Sequence, residues 1–286
     1  MIGGRQFDFD RQVAVMAIIN RTPDSFYDKG ATFALDAAVA AARQALADGA
    51  DWIDIGGAKF APGAPIPVAE EIDRVVPVIE GLAGSGAIIS VDTFEPHVAL
   101  ASIAAGAHVV NDTTGARNPA LVDVVADSQA TLVIAHSLAR PRTPHPAPSY
   151  TDVVDEVVAF LVDRVAFATG RGVPLERIVV DPGHDLNKNT LHSLEITRRL
   201  GEVAALGLPV LAAVSNKDFI GESIDRERTE RVDGSIAAMV YCITQGARIV
   251  RMHNVRAAVD AARMTEAILG FRQPVRMVHN MPVKEV

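Results

Sequence analysis

The sequence predicts a single (β/α)8 TIM barrel, with residues 1–286 forming one domain. Eight short β-branched runs alternate with longer alanine-rich segments whose apolar residues recur at helical spacing. The length of 286 residues suits one such barrel, since these run to roughly 250 residues as one unit. No interdomain linker interrupts the alternation. A doubly wound sheet is the competing architecture, but it rarely needs eight evenly spaced repeats.

The elements follow in order. GGRQFDFDRQ (3–12) is expected to form a hairpin that caps the bottom of the barrel, ahead of the first strand, VAVMAIIN (13–20). The helical pattern ALDAAVAAARQALADGA (34–50) leads to WIDIGG (52–57). IISVDT (88–93), HVVNDTT (108–114) and TLVIAHS (131–137) are the next three strands. The Pro-rich stretch ARPRTPHPAPSY (139–150) reads as a rim loop rather than a domain boundary. RIVVDPG (177–183), PVLAAVS (209–215) and RIVRMHN (248–254) complete the eight. Gly49, Gly106, Gly170, Gly172, Gly207, Gly246 and Gly270 fall near where helices should end.

Composition narrows the function. Apolar residues make up 49% of the chain, enough for a large core, and aromatics only 5%. The net charge of -8 argues against general nucleic-acid affinity. One cysteine, Cys242, excludes an internal disulfide and reads as a core residue. With no apolar signal region and no membrane-length apolar run, the expectation is a soluble cytoplasmic protein.

In such a barrel the loops after the strands carry the active face. The strand ends supply Asn20, Asp54, Asp92, Asn111 with Asp112, His136, Asp181, Ser215 with Lys217, and Arg251 with His253. Any one alone reads as a turn or cap residue. A whole rim of them points to a site. Asp92, Asn111, Asp181 and Lys217 suit the edge of a flat amino-amide heterocycle such as a guanine or pterin. Arg251 and His253, two apart on the eighth strand, form a cation pair where many barrels hold phosphate. Asn20 can offer an oxygen to a Mg²⁺ carried by that phosphate.

MAIINRTPDSFYDKG (16–30) resembles the opening motif of the dihydropteroate synthase family. SVDTFEPHVA (90–99), VNDTTG (110–115), VVDPG (179–183), PVLAAVSNKDFIGE (209–222) and GARIVRMHNV (246–255) resemble its later motifs, in order. The resemblance implies a barrel, usually homodimeric, that joins 6-hydroxymethyl-7,8-dihydropterin pyrophosphate to 4-aminobenzoate in folate biosynthesis. It assigns Asp92, Asn111, Asp181 and Lys217 to the pterin, Arg251 and His253 to the pyrophosphate, and Asn20 to the Mg²⁺ that accompanies it. Sulfonamide or sulfone ligands are implied as well.

The departures cluster on one side. Where the family's loop after the second strand reads GGESTRPGA, this chain has GGAKFAPGA (56–64), with Lys59, Phe60 and Ala61 at the Ser, Thr and Arg positions. DPGFGFGK becomes DPGHDLNK (181–188), so Leu186 replaces an aromatic and Asp185 and Asn187 replace glycines. Ser-Arg-Lys becomes Ser215-Asn216-Lys217. Phe and Ala offer no side-chain donor, and Lys lacks the planar fork of Arg. The expectation is a paralogue of pseudoenzyme character that retains the pterin and pyrophosphate pocket but has weak or absent synthase activity. A working synthase, with Lys59, Arg21 and Lys29 replacing the lost cations, is the alternative. A binding module or partner subunit, and a pterin barrel for methyl transfer, are further readings. The last is disfavoured by Arg251 with His253, which suit a phosphorylated ligand.

Several residues have plainer roles. His136 is expected to be a hydrogen-bonded rim residue rather than a base. His184 and His192 lack metal-ligand spacing. Trp52 should be packing, and DRERTERVD (225–233) the solvated start of a helix. The last helices, including MVYCITQG (239–246), are candidates for a dimer face.

Overall fold

The structure, a computed structural model, describes residues 1–21, 34–139, 141–144 and 147–280. Part of the opening motif, with Lys29, lies outside the described residues. Eight parallel strands close into a barrel in sequence order. They are β1 (Ala14–Asn20), β2 (Trp52–Gly56), β3 (Ile88–Asp92), β4 (Val109–Asp112), β5 (Thr131–Ala135), β6 (Ile178–Asp181), β7 (Val210–Ala212) and β8 (Ala247–Met252). Each expected strand is present, in most cases one to three residues shorter than its apolar run and, for β7, four residues shorter.

The outer ring is α1 (Leu35–Ala47), α2 (Val68–Gly81), α3 (Pro96–Ala104), α4 (Pro119–Ala126), α5 (Val153–Gly170), α6 (Thr190–Arg198), α7 (Leu200–Ala204), α8 (Asp218–Ile224), α9 (Val232–Thr244) and α10 (Val255–Ile268). Their starts are written locally. Asp152 caps α5 by accepting from the amides of Val154 and Asp155. Asn118 caps α4, with Pro119 as its first residue.

The strands are buried on both faces, so they read as unbroken apolar runs. One core fills the space between barrel wall and helices, with Val78, Leu121, Leu161 and Cys242 among its members. The second fills the barrel's lower interior with Met16, Trp52, Ile88, Val133, Val179, Leu211 and Ile249. Trp52 is thus packing, as its sequence context implies.

The N-terminal hairpin is minimal, a single antiparallel bridge between Ile2 and Arg5. Ile2 inserts into the lower core, and Phe7 and Phe9 pack against it. Phe7 meets Trp52 edge-on with ring centroids 5.8 Å apart. This apolar plug closes the bottom and leaves the carboxyl ends of the strands as the open face. Among the described residues, no helix is long and apolar enough to cross a membrane.

Candidate functional site

Strand register brings the first group together. Asn20, Gly56, Asp92 and Asn111 lie opposite one another on β1 to β4. Gly56 leaves the space its neighbours use: a Cβ there would meet Asn20 Oδ1 at 3.2 Å and Asp92 Cβ at 3.7 Å. Two residues deeper on β2, Asp54 is fully buried. Its Oδ2 accepts from Asn111 Nδ2 at 3.1 Å and from Arg251 Nε at 2.6 Å. Arg251 Nη2 also donates to Asp92 Oδ2 at 2.9 Å.

Arg251 is therefore a cation held between two carboxylates, with His253 one residue past the end of its strand. Its guanidinium is held charged, because Asp54 and Asp92 outweigh the cost of burial. The Asp92 carboxyl is pushed up to about 7, chiefly by burial and further by Asp54, against the pull of Arg251. His253 lies past the end of β8, where its amide and Nδ1 lie 3.0 Å and 2.9 Å from Ser215 Oγ.

The second group lies across the mouth. Asp181 ends β6, and its Oδ1 accepts from the Gly183 amide at 2.7 Å. Burial raises this carboxyl, opposed by Lys217 and by the Gly183 hydrogen bond. Lys217 directs its ammonium to the carbonyl of His184. Burial lowers the Lys217 ammonium, against Asp185 and Asp181. The retained set thus offers carboxylates at Asp92 and Asp181, an amide at Asn111 and an ammonium at Lys217 around one opening. Such a set matches a heterocycle edge that carries both donors and acceptors.

Lys188 is a buried residue that sequence reasoning missed. Its ammonium meets His136 Nδ1 at 2.8 Å and donates to the carbonyls of Gly183 at 3.0 Å and Leu186 at 3.1 Å. Burial brings it down to about 7. His136 is buried and driven to about 2 by burial and by Lys188, so it accepts as a neutral ring. This agrees with its reading as a hydrogen-bonded residue. The pair ties the β6 loop to β5.

Asp185 and Asn187, at the family's glycine positions, hold left-handed backbone at φ 61° and 53°. Asp and Asn are the side chains that tolerate that region best. Asp185 Oδ2 accepts from the Asp218 amide at 2.6 Å, joining the β6 and β7 loops. His184 is buried beside Thr197, with its Nε2 3.1 Å from Thr197 Oγ1. Asp112 folds its own loop, accepting from the amides of Thr114 and Ala116 and from the Thr114 hydroxyl.

The altered β2 loop is held from the Pro-rich loop. Arg142 donates from Nε and Nη2 to the Ala64 carbonyl at 3.1 and 2.7 Å. Its Nη1 donates to the Ala61 carbonyl at 3.1 Å and to that of Lys59 at 3.4 Å. Its own amide donates to the Phe60 carbonyl at 3.0 Å. Arg142 sits at φ 62°, a region that costs an L-residue roughly 1–2 kcal/mol. Gly63 lies directly under the guanidinium, where a Cβ would come within 2.4 Å of Nη2. No sequence signal marks this clamp, which joins residues about 80 positions apart.

Two further cation positions are turned aside. Arg21 donates at 2.8 Å to the carbonyls of Asp73 and Arg74 on α2. Asn216, at the family's arginine position, is buried; its amide side chain meets Ser235 Oγ at 3.2 Å. Arg231, from the charged stretch 225–233, donates to the carbonyls of Asn216 and Lys217. It braces the β7 loop, where the sequence suggests only a solvated helix start.

A family profile described as pterin binding enzyme matches residues 16–253. The Mycobacterium tuberculosis (strain ATCC 25618 / H37Rv) protein named inactive dihydropteroate synthase 2 is 45% identical over 285 residues, covering 97% of this chain and 89% of the relative. The Escherichia coli (strain K12) dihydropteroate synthase is 37% identical over 264 residues, covering 92% and 94%. The Xanthomonas albilineans dihydropteroate synthase solved with 4-aminobenzoic acid superposes with a TM-score of 0.86 at 42% identity, covering 94% of this chain and 97% of that one. The Yersinia pestis enzyme solved with a sulfonamide drug gives a TM-score of 0.90 at 33% identity, covering 95% and 99%. From motif order, closed barrel and matched relatives together, the chain belongs to the pterin binding enzyme family, as a divergent paralogue of dihydropteroate synthase.

Proposed function

We propose that this protein is a dihydropteroate synthase-like barrel that keeps the pterin and pyrophosphate pocket and has lost most of its hold on 4-aminobenzoate. Its dihydropteroate synthase activity is weak or absent. The observation that carries this reading is the state of the cations around the β2 loop. Ala61 and Asn216 stand where the family motifs have arginines. The guanidinium that does reach the loop, that of Arg142, directs its donors to loop carbonyls. Arg21, enlisted by the working-synthase reading, donates to α2. Relatives 45% and 43% identical carry the name inactive dihydropteroate synthase 2, which supports the same reading.

On this reading Asp92, Asn111, Asp181 and Lys217 hold the pterin ring, and Arg251 and His253 bind the pyrophosphate oxygens. Asn20 supplies one oxygen to a Mg²⁺ that arrives with the pyrophosphate. The position of Asn20 Oδ1 beside Gly56 and Asp92 fits a hard cation that takes few protein ligands and keeps water and phosphate oxygens. Such a cation supplies charge neutralisation at the leaving group. The chain's own contribution is to orient the ring and exclude water. Sulfonamide-type ligands, which share the second-substrate side, should bind poorly.

A homodimer through α9 and α10 fits the exposure of Tyr241, Met264 and Ile268 on those helices. Sedimentation would report it.

The deciding experiment measures dihydropteroate formation from the pterin pyrophosphate, 4-aminobenzoate and Mg²⁺, beside an authentic synthase. Trace or no product, with retained pterin binding by calorimetry, supports the proposal. Turnover comparable to the control would overturn it in favour of a working synthase.

A further inference from the structure

A separate cavity of about 320 Å³ opens between the β2, β3 and β5 loops. Pro65, Ile66, Val68, Phe94 and Pro141 give it apolar walls, with Arg142 on its rim. Its size is at the lower end of small-molecule sites, which run from roughly 300 to 1,000 Å³. Glu71, from the first turn of α2, also lines it and is only 3% exposed. Thr93 Oγ1 donates to Glu71 Oε1 at 2.7 Å. Among the described residues no donor meets Oε2. Burial raises the Glu71 carboxyl by disfavouring its charged form, and a ligand N–H donating to the second oxygen would stabilise that form.

The charges around the cavity choose the ligand's sign. Glu95 adds a second carboxylate. Among the described lining residues the guanidinium is that of Arg142, which points its N–H groups at the carbonyls of Lys59, Ala61 and Ala64 and so offers no fork to an anion, while the nearby Arg74 donates to the Gly57 carbonyl and pairs with Glu70. The Phe94 ring and the Ile66 and Pro65 side chains suit a flat apolar body. We propose that this cavity binds a small monocyclic organic cation, an aryl amidinium or arylalkyl ammonium, with its N–H groups on Glu71 Oε2 and its ring between Phe94 and Ile66. This inference stands whether or not the barrel mouth turns over a substrate.

Calorimetry with benzamidine, and with benzoate as its anionic counterpart, tests the idea. Benzamidine should bind with one-to-one stoichiometry and benzoate should not. Glu71→Gln keeps the acceptor for Thr93 but removes the charge, and should weaken benzamidine about tenfold or more, the scale of one charge-assisted hydrogen bond. Ala58→Leu, which fills the cavity and leaves Glu71 intact, should weaken it to a similar degree. Should Glu71→Gln fail to fold, Ala58→Leu decides alone. A crystal structure with benzamidine should place the amidinium at Glu71. No binding by the wild-type protein, equal binding of benzoate, affinity unchanged in either folded variant, or an amidinium seated at Asp92 would each overturn the proposal.

Discussion

Arg251 and Asp54, 197 residues apart in sequence, meet at 2.6 Å on the floor of the barrel mouth. Asp54 is fully buried and also receives Asn111, so one carboxylate sets the position of two residues assigned to different parts of the ligand. Removing one member of a buried, hydrogen-bonded pair leaves the other charge uncompensated. Asp54→Ala is expected to lower unfolding free energy by about 3–5 kcal/mol. Urea denaturation would measure it, and a loss below about 1 kcal/mol, the level of an exposed pair, would contradict a structural role.

Asp92 gives the site a pH dependence. Its carboxyl is raised from 3.8 to about 7, so between those values the folded chain holds a proton that the unfolded chain has lost. The stability this group contributes is complete below 3.8 and is lost as pH rises through about 7. Subtracting the stability curve of Asp92→Asn from that of the wild type should leave a difference that declines over this window. A flat difference would show that Arg251 keeps Asp92 ionised throughout. Pterin affinity should move the opposite way, rising as the carboxylate forms and becomes an acceptor for ring N–H groups.

The Arg142 clamp predicts a matched pair of variants. Arg142→Ala removes the bonds to the carbonyls of Lys59, Ala61 and Ala64. Gly63→Ala leaves Arg142 in place but puts a methyl where its guanidinium lies. Both should raise hydrogen exchange and proteolytic cleavage within 58–64, with little change in the global unfolding midpoint, because the barrel core is untouched. Protection at wild-type levels in both variants would mean that something other than Arg142 holds the loop.

Restoring the family residues tests the loss of function directly. Lys59→Ser, Phe60→Thr, Ala61→Arg and Asn216→Arg together return two guanidinium groups and two hydroxyls to the second-substrate side. Each restored charge-assisted contact is worth roughly 1.5–3 kcal/mol, and about 1.4 kcal/mol is tenfold in rate. Dihydropteroate formation by the combined variant should exceed that of the wild type by at least about tenfold. Unchanged turnover with retained pterin binding would move the defect to another part of the site.

Much of this was legible in the chain. Parallel strands buried on both faces leave unbroken apolar runs, so all eight were visible in order. Polar residues at their carboxyl ends must face the open end, so Asn20, Asp92, Asn111, Asp181 and Lys217 could be placed around the rim. The lost loop contacts were equally visible, since Phe60 and Ala61 have no side-chain donors in any conformation.

Pairings across the fold were not legible. Sequence puts Arg251 beside His253, whereas the closed barrel carries it to Asp54 and Asp92. Lys188 looks like an ordinary loop lysine until the β6 loop folds it beneath the His136 ring. Asn216 reads as a missing cation, and only the packing of α9 shows its side chain meeting Ser235. Arg142 gives no signal inside a Pro-rich loop, yet it fixes the shape of the β2 loop. Local patterning and side-chain chemistry are properties of neighbours in the chain, so the sequence alone determined the barrel, the open face and the donors that are missing. Partner choice among charged groups depends on distances that exist only once the barrel closes, so only the tertiary structure decided which cations are spent and which cavity remains.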